Sequence, residues 1–518
     1  MSLVRSNEEE AEHNGNEQHQ LSVSVKGKVI TRRRAIFAHL IFTSINFLNY
    51  TDRYTIAGVL SDIQDYFKIN DTQGGLIQTV FILVYMCCAP LFGYLGDRFT
   101  RKYILIGGIL AWSFFTLMGS FVGPHHFWLF LMLRGLVGVG ESSYITVSPA
   151  LIGDLFSESE RMVALSVFSF AAPFGAGFGY ILGSLTTSIA KDAGADHDSA
   201  WQWSLRVTPT LGVIAVILAA FFVPEPARGA REASNDNGLE IKVETSLKDD
   251  VMYLFKNKTA VAVTVAYTSV TYVLGCLSFW APVFLEDAYL AQGQNPSNTV
   301  ISFGFGAVTC ACGVIGVALG AFAAKIYLRR RSNAEPLVAA YGLIAAGPLV
   351  FMVAVIVEYC PAAIWPFVIL GEIALCLNWA LVPKILIDCV VPNRRALASG
   401  ISMGVTHLFG DAYSPFFVGL LADVTYGNSS HYNQFKGLQL GVLTCPIACV
   451  IGAAAFFVCA IVYDEDHTKT AEIVAEARRA RLERGRGGGR PGVNSGGTLA
   501  EHAAVLEGGM AEDTDPLI

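Results

Sequence analysis

The chain is short of charge. Asp, Glu, Lys and Arg make up 15% of its 518 residues while hydrophobic residues make up 53%, against about 25% and about 45–50% in soluble domains. That shortage excludes an ordinary soluble domain and a disordered chain alike, and leaves a polytopic membrane protein. Metal-ligand spacing is missing as well. The eleven cysteines, among them Cys87, Cys88, Cys310, Cys312 and Cys449, sit almost entirely in apolar runs, where they read as small packing residues rather than disulfides or zinc ligands. No nucleophile with a matching base appears, so an enzyme is disfavoured and neither metal nor cofactor is expected. No cleavable signal precedes the first apolar run, because residues 1–34 are polar and that run is long enough to span. The N-terminus is therefore expected in the cytoplasm.

What the chain has in abundance is long apolar runs. Stretches of about 20 residues or more, the length a helix needs to cross a bilayer, recur near 35–60, 74–95, 103–122, 127–150, 162–190, 205–223, 259–285, 299–327, 336–358, 364–389, 397–423 and 437–463, twelve in all. The even-numbered loops carry Arg98, Arg101 and Lys102, then Arg161, then Arg329, Arg330 and Arg331, then Arg394 and Arg395. The opposite side carries Lys68, Lys191 and Lys436, so both termini and the central loop are expected to be cytoplasmic. The expected organisation is a disordered cytoplasmic segment over 1–34, a six-helix bundle over 35–223, a cytoplasmic linker over 224–258, a second six-helix bundle over 259–463, and a cytoplasmic tail over 464–518. The tail begins as a charged helix over 471–484 and is disordered beyond it. Two such halves joined by a charged loop outline a transporter built from repeats. The sequons at Asn70 and Asn428 fall on the side that glycosylation requires. The chain ends with Asp513 four residues before Leu517-Ile518, an acidic dileucine pattern that would bind sorting adaptors and lead to late endosomes or lysosomes. So short a pattern is as readily a coincidence, which leaves the plasma membrane open.

Within span 1, Asn49-Tyr50-Thr51-Asp52-Arg53 places an acid and a base in or at the edge of the hydrocarbon, where charge is expensive and usually functional. Span 4 carries Arg134-Gly135-Leu136-Val137-Gly138-Val139-Gly140-Glu141. Seven residues is about two helical turns, so Arg134 and Glu141 share a face, and the interleaved glycines favour close packing. At about 1.5 Å per residue, Arg134 lies roughly 10 Å below one surface and Asp52 roughly 12 Å below the same one. The matching depth makes them expected partners. A static pair that only fixes helix packing is the competing reading, although buried pairs are poor stabilisers.

In the second half, Glu372 of span 10 occupies the level of Arg134, Trp379 that of Glu141, with Asn378 beside it. In span 11, His407 and Asp411 are one turn apart, either sharing a proton or making a structural pair. These five are candidate cavity residues. Span 5 carries Pro173 followed by Gly175, Gly177, Gly179 and Gly183, which a small-residue packing face explains as well as an antiporter motif does.

After span 2, Gly93-Tyr94-Leu95-Gly96-Asp97-Arg98-Phe99-Thr100-Arg101-Lys102 resembles the signature loop of the major facilitator superfamily, with Thr100 where a glycine is usual. Its glycines would admit a neighbouring helix, and Gly93, Asp97, Arg98, Arg101 and Lys102 would form a conformational gating loop. Together with Asn49-Tyr50-x-Asp52-Arg53, the span 4 motif through Ser142, and His407-x-x-Gly410-Asp411-Ala412-x-Ser414-Pro415, this resembles the spinster family of that superfamily. The resemblance covers residues of about 35 to 463. It implies an all-α fold of twelve transmembrane helices in two six-helix halves, and transport of a lysophospholipid or a sphingosine-phosphate-type sphingolipid by alternating access. Proton coupling would fall on Asp52 and Glu141, with Arg53 and Arg134 as ion-pair partners or headgroup ligands. Around Pro383-Lys384 the sequence departs from the acidic residue expected of the family, which bears on substrate preference. The rival functions are a non-transporting lipid sensor and a facilitator of small polar solutes such as sugars.

Overall fold

Long apolar stretches are compatible with helices, and helices are what a bilayer demands, since every backbone group must be satisfied within the segment. A computed structural model describes residues 23–25, 28–156, 158–225, 247–391, 394–427 and 430–486. The expected sites Asn428, Asp513, Leu517 and Ile518, and the side chain of Asp97, lie outside the described residues.

The spans in chain order are span 1 (Arg32–Gly58), span 2 (Asp71–Arg98), span 3 (Arg101–Gly119), span 4 (Phe127–Leu155), span 5 (Glu158–Asp192), span 6 (Ser204–Phe222), span 7 (Lys258–Ala291), span 8 (Asn298–Leu328) and span 9 (Ala334–Ile356). Spans 10, 11 and 12 are each broken: Trp365–Cys376 with Leu381–Asp388, Arg395–Phe409 with Tyr413–Thr425, and His431–Val442 with Thr444–Arg486. Nine helices among the described residues are long and apolar enough to cross a membrane. The other three spans, 1, 4 and 11, are those whose apolar character is diluted by Asn46, Asn49 and Asp52, by Arg134 and Glu141, and by His407 and Asp411.

Three sequence expectations change. Span 1 stops at Gly58 rather than Leu60, and a separate short helix, Leu60–Phe67, follows it. Inside the segment 1–34, expected without order, Val23–Val25 pairs antiparallel with Lys28–Ile30, with Val23 opposite Ile30. So short a ribbon is marginal by itself. The charged helix expected over 471–484 is the continuation of span 12, which runs unbroken to Arg486.

The two ends of the bundle differ. Arg32, Arg101 and Arg329 mark one end, here called the basic end, and Lys68 and Lys436 mark the far end. Hydrogen bonds between the halves run from midplane to the far end: Thr79 to the Ala412 carbonyl at 2.5 Å, Thr72 to Asp423 at 2.5 Å, Ser302 to the Gly58 carbonyl at 3.4 Å, and Ser61 to Glu286. Spans 5 and 8 touch through glycine, since a Cβ on Gly177 would come within 2.2 Å of the Gly306 carbonyl oxygen. Toward the basic end, Gly93 of span 2 and Gly400 and Gly404 of span 11 face open space. The halves therefore form a wedge, closed at the far end and parted at the basic end.

Candidate functional site

Span 4 can carry charge into the core because its glycines let neighbouring backbones close around it. A Cβ on Gly138 would meet the Phe81 carbonyl at 2.6 Å, and one on Gly140 the Trp112 nitrogen at 2.5 Å, which seats spans 2 and 3 directly against span 4. In that setting Arg134 Nη1 donates to Asp52 Oδ2 at 3.1 Å, with side chains 3% and 0% exposed. The expected partnership is present. Thr208 of span 6 also donates to Asp52 at 2.5 Å, and Thr116 of span 3 does so at 3.4 Å. All four groups belong to the first half, so Asp52 and Arg134 are enclosed by their own bundle and do not face the second half, as a shared central constellation would require. Charge that cannot be solvated is driven to where the most donors converge. Thr116 and Thr208 carry no signal in the sequence, being single hydroxyls in apolar runs.

The adjacent residue does face the second half. Arg53 Nη2 lies 3.5 Å from Glu141 Oε2, a separation longer than a good hydrogen bond, and the Asn49 side chain and the Arg134 charge are also within reach of the Glu141 carboxyl. The Arg53 guanidinium is bordered by the rings of Phe81, Tyr50 and Tyr85 at 4.8, 5.4 and 5.5 Å. Phe81 also lies against Arg134, at 4.6 Å, so one ring touches both guanidinium groups. Across the boundary, His407 Nδ1 and Asp411 Oδ1 are 2.8 Å apart. The span 11 helix breaks between them at Gly410, where a Cβ would meet Thr271 Oγ1 at 2.0 Å. Asp411 is within electrostatic range of Tyr50 and Tyr85, and His407 of Arg53. The two charged pairs thus confront each other through a layer of tyrosines.

A cleft of about 1080 Å³ opens beside this layer, and it is walled by both halves. Tyr54 and Tyr180 come from spans 1 and 5, while Leu277, Phe305, Phe367 and Trp379 come from spans 7, 8 and 10. Glu372 and Thr309 are its polar centre, and Thr309 lies within hydrogen-bonding reach of the Glu372 carboxyl. Among the described residues no Lys or Arg pairs with Glu372. Of the five expected cavity residues, Glu372 and Trp379 line this cleft; Asn378, His407 and Asp411 do not. Asn378 turns inward at the break of span 10 and donates to the Leu375 carbonyl at 3.1 Å. That correction has a local cause: at about 100° per residue Asn378, six residues after Glu372, points roughly 120° away from it, while Trp379, seven residues on, returns to the same face.

The gating loop is held within the first half. Arg101 bonds Asp154 at 2.5 Å and the Gly96 carbonyl at 3.3 Å, Lys102 bonds the Ala220 carbonyl at 2.7 Å, and Arg98 stacks on Tyr94 at 4.5 Å. Gly96 does admit a neighbour, Val147 at 3.4 Å, but Gly93 faces open space, contrary to expectation, because the basic ends stand apart. In span 5, Gly175, Gly179 and Gly183 seat against the backbone of span 1 at Phe47, Thr51 and Thr55, and Gly177 against span 8. This is the packing face. Asn70 is exposed and caps span 2, accepting from the Gln73 nitrogen at 3.0 Å.

Comparison with known proteins places this geometry. The family model described as Major Facilitator Superfamily matches residues 42–415. Protein spinster homolog 3 of Danio rerio is 41% identical over 462 residues, covering 88% of this chain and 90% of that protein. Protein spinster homolog 1 of Homo sapiens is 43% identical over 434 residues, covering 82% and 80%. A sphingosine-1-phosphate transporter of Danio rerio is 41% identical over 443 residues, covering 84% and 86%. Among solved structures, a bacterial homolog to human lysosomal transporter Spinster, in an inward-facing and unoccupied conformation, matches with a TM-score of 0.73 at 18% identity, covering 84% of this chain and 99% of that one.

Proposed function

The chain belongs to the spinster family of the major facilitator superfamily and is a membrane transporter rather than an enzyme; from that premise we propose that its cargo is a single-chain, negatively charged lipid. Lysophospholipid and sphingosine phosphate are the two classes this covers. The observation that carries the reading is the pairing of a guanidinium facing the boundary between the halves with a large apolar cleft next to it. A sugar needs hydroxyl and amide partners all round, whereas this cleft offers aromatic and aliphatic walls with Glu372 and Thr309 as an isolated polar centre.

In this reading Arg53 takes the phosphate, to which a guanidinium offers paired donors. The acyl chain lies along Leu277, Phe305 and Phe367, and Glu372 with Trp379 meets a lipid ammonium, by charge and by its ring face. Glu141 is the proton carrier. When it is ionised it occupies Arg53; when it takes a proton, Arg53 loses its counter-charge and turns to the substrate. Asp52, saturated by Arg134, Thr208 and Thr116, serves instead as the fixed anchor of Arg134. Transport proceeds by alternating access: the wedge open at the basic end, proposed as cytoplasmic because arginine-rich loops favour that side, alternates with one open at the far end. Late endosomes and lysosomes, whose acidic lumen supplies protons, are the proposed site of action, with sorting adaptors reading Asp513, Leu517 and Ile518.

The test is uptake of labelled lysophosphatidylcholine, sphingosine phosphate and a hexose into proteoliposomes at acidic and neutral pH. Lipid flux that Arg53→Ala removes supports the reading, and hexose flux without lipid flux overturns it. A sensor that binds but does not turn over would show saturable lipid binding and no flux.

A further inference from the structure

We propose that Asp423 is the latch of the far face, a positioning residue that holds span 2 against span 11 whenever the transporter is open at the basic end. The claim rests on the alternating-access reading but not on which lipid is carried. Asp423 Oδ2 accepts from the Thr72 backbone nitrogen at 2.8 Å and from the Thr72 hydroxyl at 2.5 Å, and its Oδ1 accepts from the Asp71 nitrogen at 3.4 Å. Those are among the first amides of span 2, which have no partner within their own helix. The helix already has a local capping box, Asn70 with Gln73. Asp423 therefore adds a second cap, delivered from the other half of the molecule.

The placement is unfavourable for span 11 taken alone. Asp423 lies in the last turn of Tyr413–Thr425, where the helix dipole disfavours an acid, while its carboxylate reaches the start of span 2, where the dipole favours one. What destabilises its own helix stabilises the closed interface.

The latch also terminates a continuous seam. A Cβ on Gly419 would meet the Asp71 carbonyl at 2.2 Å, and one on Gly75 the Pro415 carbonyl at 2.3 Å. At that same level Trp280 Nε1 of span 7 donates to the Pro415 carbonyl at 2.9 Å, and one turn further toward midplane Thr79 donates to the Ala412 carbonyl at 2.5 Å. Positions 423, 419, 415 and 412 of span 11 thus meet 72, 71, 75 and 79 of span 2 along one stripe. With backbones this close, the stripe parts as a unit. Asp423 is its charged, partly exposed end, and the bonds there must exchange for water before the rest can separate.

The test is hydrogen-exchange mass spectrometry on the full chain in lipid nanodiscs. Asp423→Ala should speed exchange about tenfold, the scale set by a hydrogen bond to a charged group, in peptides covering 58–80 and 412–425. It should slow exchange in peptides covering 85–98 and 395–405, because opening one face closes the other. Asp423→Asn keeps one acceptor oxygen and should fall between; Thr72→Val removes the hydroxyl together with the Asn70 sequon, so it is read against Asn70→Gln, and relative to that variant it should give a smaller shift of the same pattern, which serves if Asp423→Ala does not fold. A uniform rise at both ends would mean lost stability alone and overturns the latch. Gly177→Leu, which pries spans 5 and 8 apart, is the control: if it gives opposed changes at the two ends and the Asp423 and Thr72 variants do not, the latch fails while alternating access stands. If none of them does, alternating access fails with it.

Discussion

Asp52 and Arg134 stand 82 positions apart in sequence and meet at 3.1 Å inside the first half, while their neighbours on the same two spans, Arg53 and Glu141, meet at 3.5 Å. Two helices thus carry two acid–base pairs with very different surroundings. In one pair the enclosed Asp52 accepts three hydrogen bonds, although Nε and Nη2 of Arg134 have no hydrogen-bond partner; the other pair is more loosely held and turned toward the partner half. Phe81 lies against both guanidinium groups, at 4.6 and 4.8 Å, so the two pairs share one aromatic neighbour.

The enclosed pair should behave as structure. Asp52→Ala or Arg134→Ala leaves an uncompensated charge with side-chain exposure of 0–3%, which costs about 3–5 kcal/mol. The double substitution should cost clearly less than the sum of the two, because it removes both charges. Thermal unfolding in detergent measures this, and single substitutions each costing less than about 1 kcal/mol would contradict it.

The loosely bonded pair should behave as the coupling element. Glu141→Gln keeps the shape and removes the exchangeable charge, so lipid flux should persist across pH with its pH dependence flattened. Asp52→Asn should lower flux or yield without flattening the profile. Initial rates in proteoliposomes over a range of imposed pH gradients decide between them; a flat profile from Asp52→Asn and a normal one from Glu141→Gln would reverse the assignment.

Much of this was readable from residues. The twelve apolar runs, the side bearing arginine, and the matched depth of Asp52 and Arg134 all follow from periodicity and loop charge, because helix rise is constant and charge avoids hydrocarbon. Which pair faces the boundary was not readable. Asp52 and Arg53 are consecutive, about 100° apart on a helix, and only the packing of spans 3 and 6, through Thr116 and Thr208, decides which of them turns inward. Helix breaks were equally hidden. Span 11 parts at Gly410 because Thr271 of span 7 packs there, and a glycine in an apolar run signals close packing as readily as a break. Asn378 was misplaced for a different reason: it lies six residues after Glu372, roughly 120° off its face, so being next to Trp379 in sequence did not bring it to the cleft.

Outside the membrane, Glu358 gives a pH signature of its own. The Lys436 ammonium at 2.6 Å and the Gln439 amide at 3.2 Å hold its carboxyl below the ordinary 4.5. A carboxyl lowered by folding contributes stability that is present above its unfolded value and lost as pH falls through the folded one. Wild type should therefore be slightly more stable than Glu358→Gln at neutral pH, with the gap closing below about pH 4. Melting temperatures of the two proteins across pH 3–7, a range bracketing an ordinary Glu value of about 4.3, test this. A gap that widens on acidification would contradict it.

The cleft makes the strongest demand on substrate shape. Ala281 lines it together with Phe305 and Phe367, and Ala281→Phe adds a ring where an acyl chain is proposed to lie, at a position away from Arg53 and Glu141 in the sequence. Each buried methylene is worth about 0.8 kcal/mol, so denying the cleft to three or four of them should weaken a long-chain lipid by roughly 50- to 200-fold while leaving a short-chain analogue with the same headgroup nearly unaffected. KM values for lysophosphatidylcholines of graded chain length in reconstituted vesicles provide the readout. Equal losses for short and long chains would place the acyl tail elsewhere, and an unchanged KM for all of them would remove the cleft from the transport path.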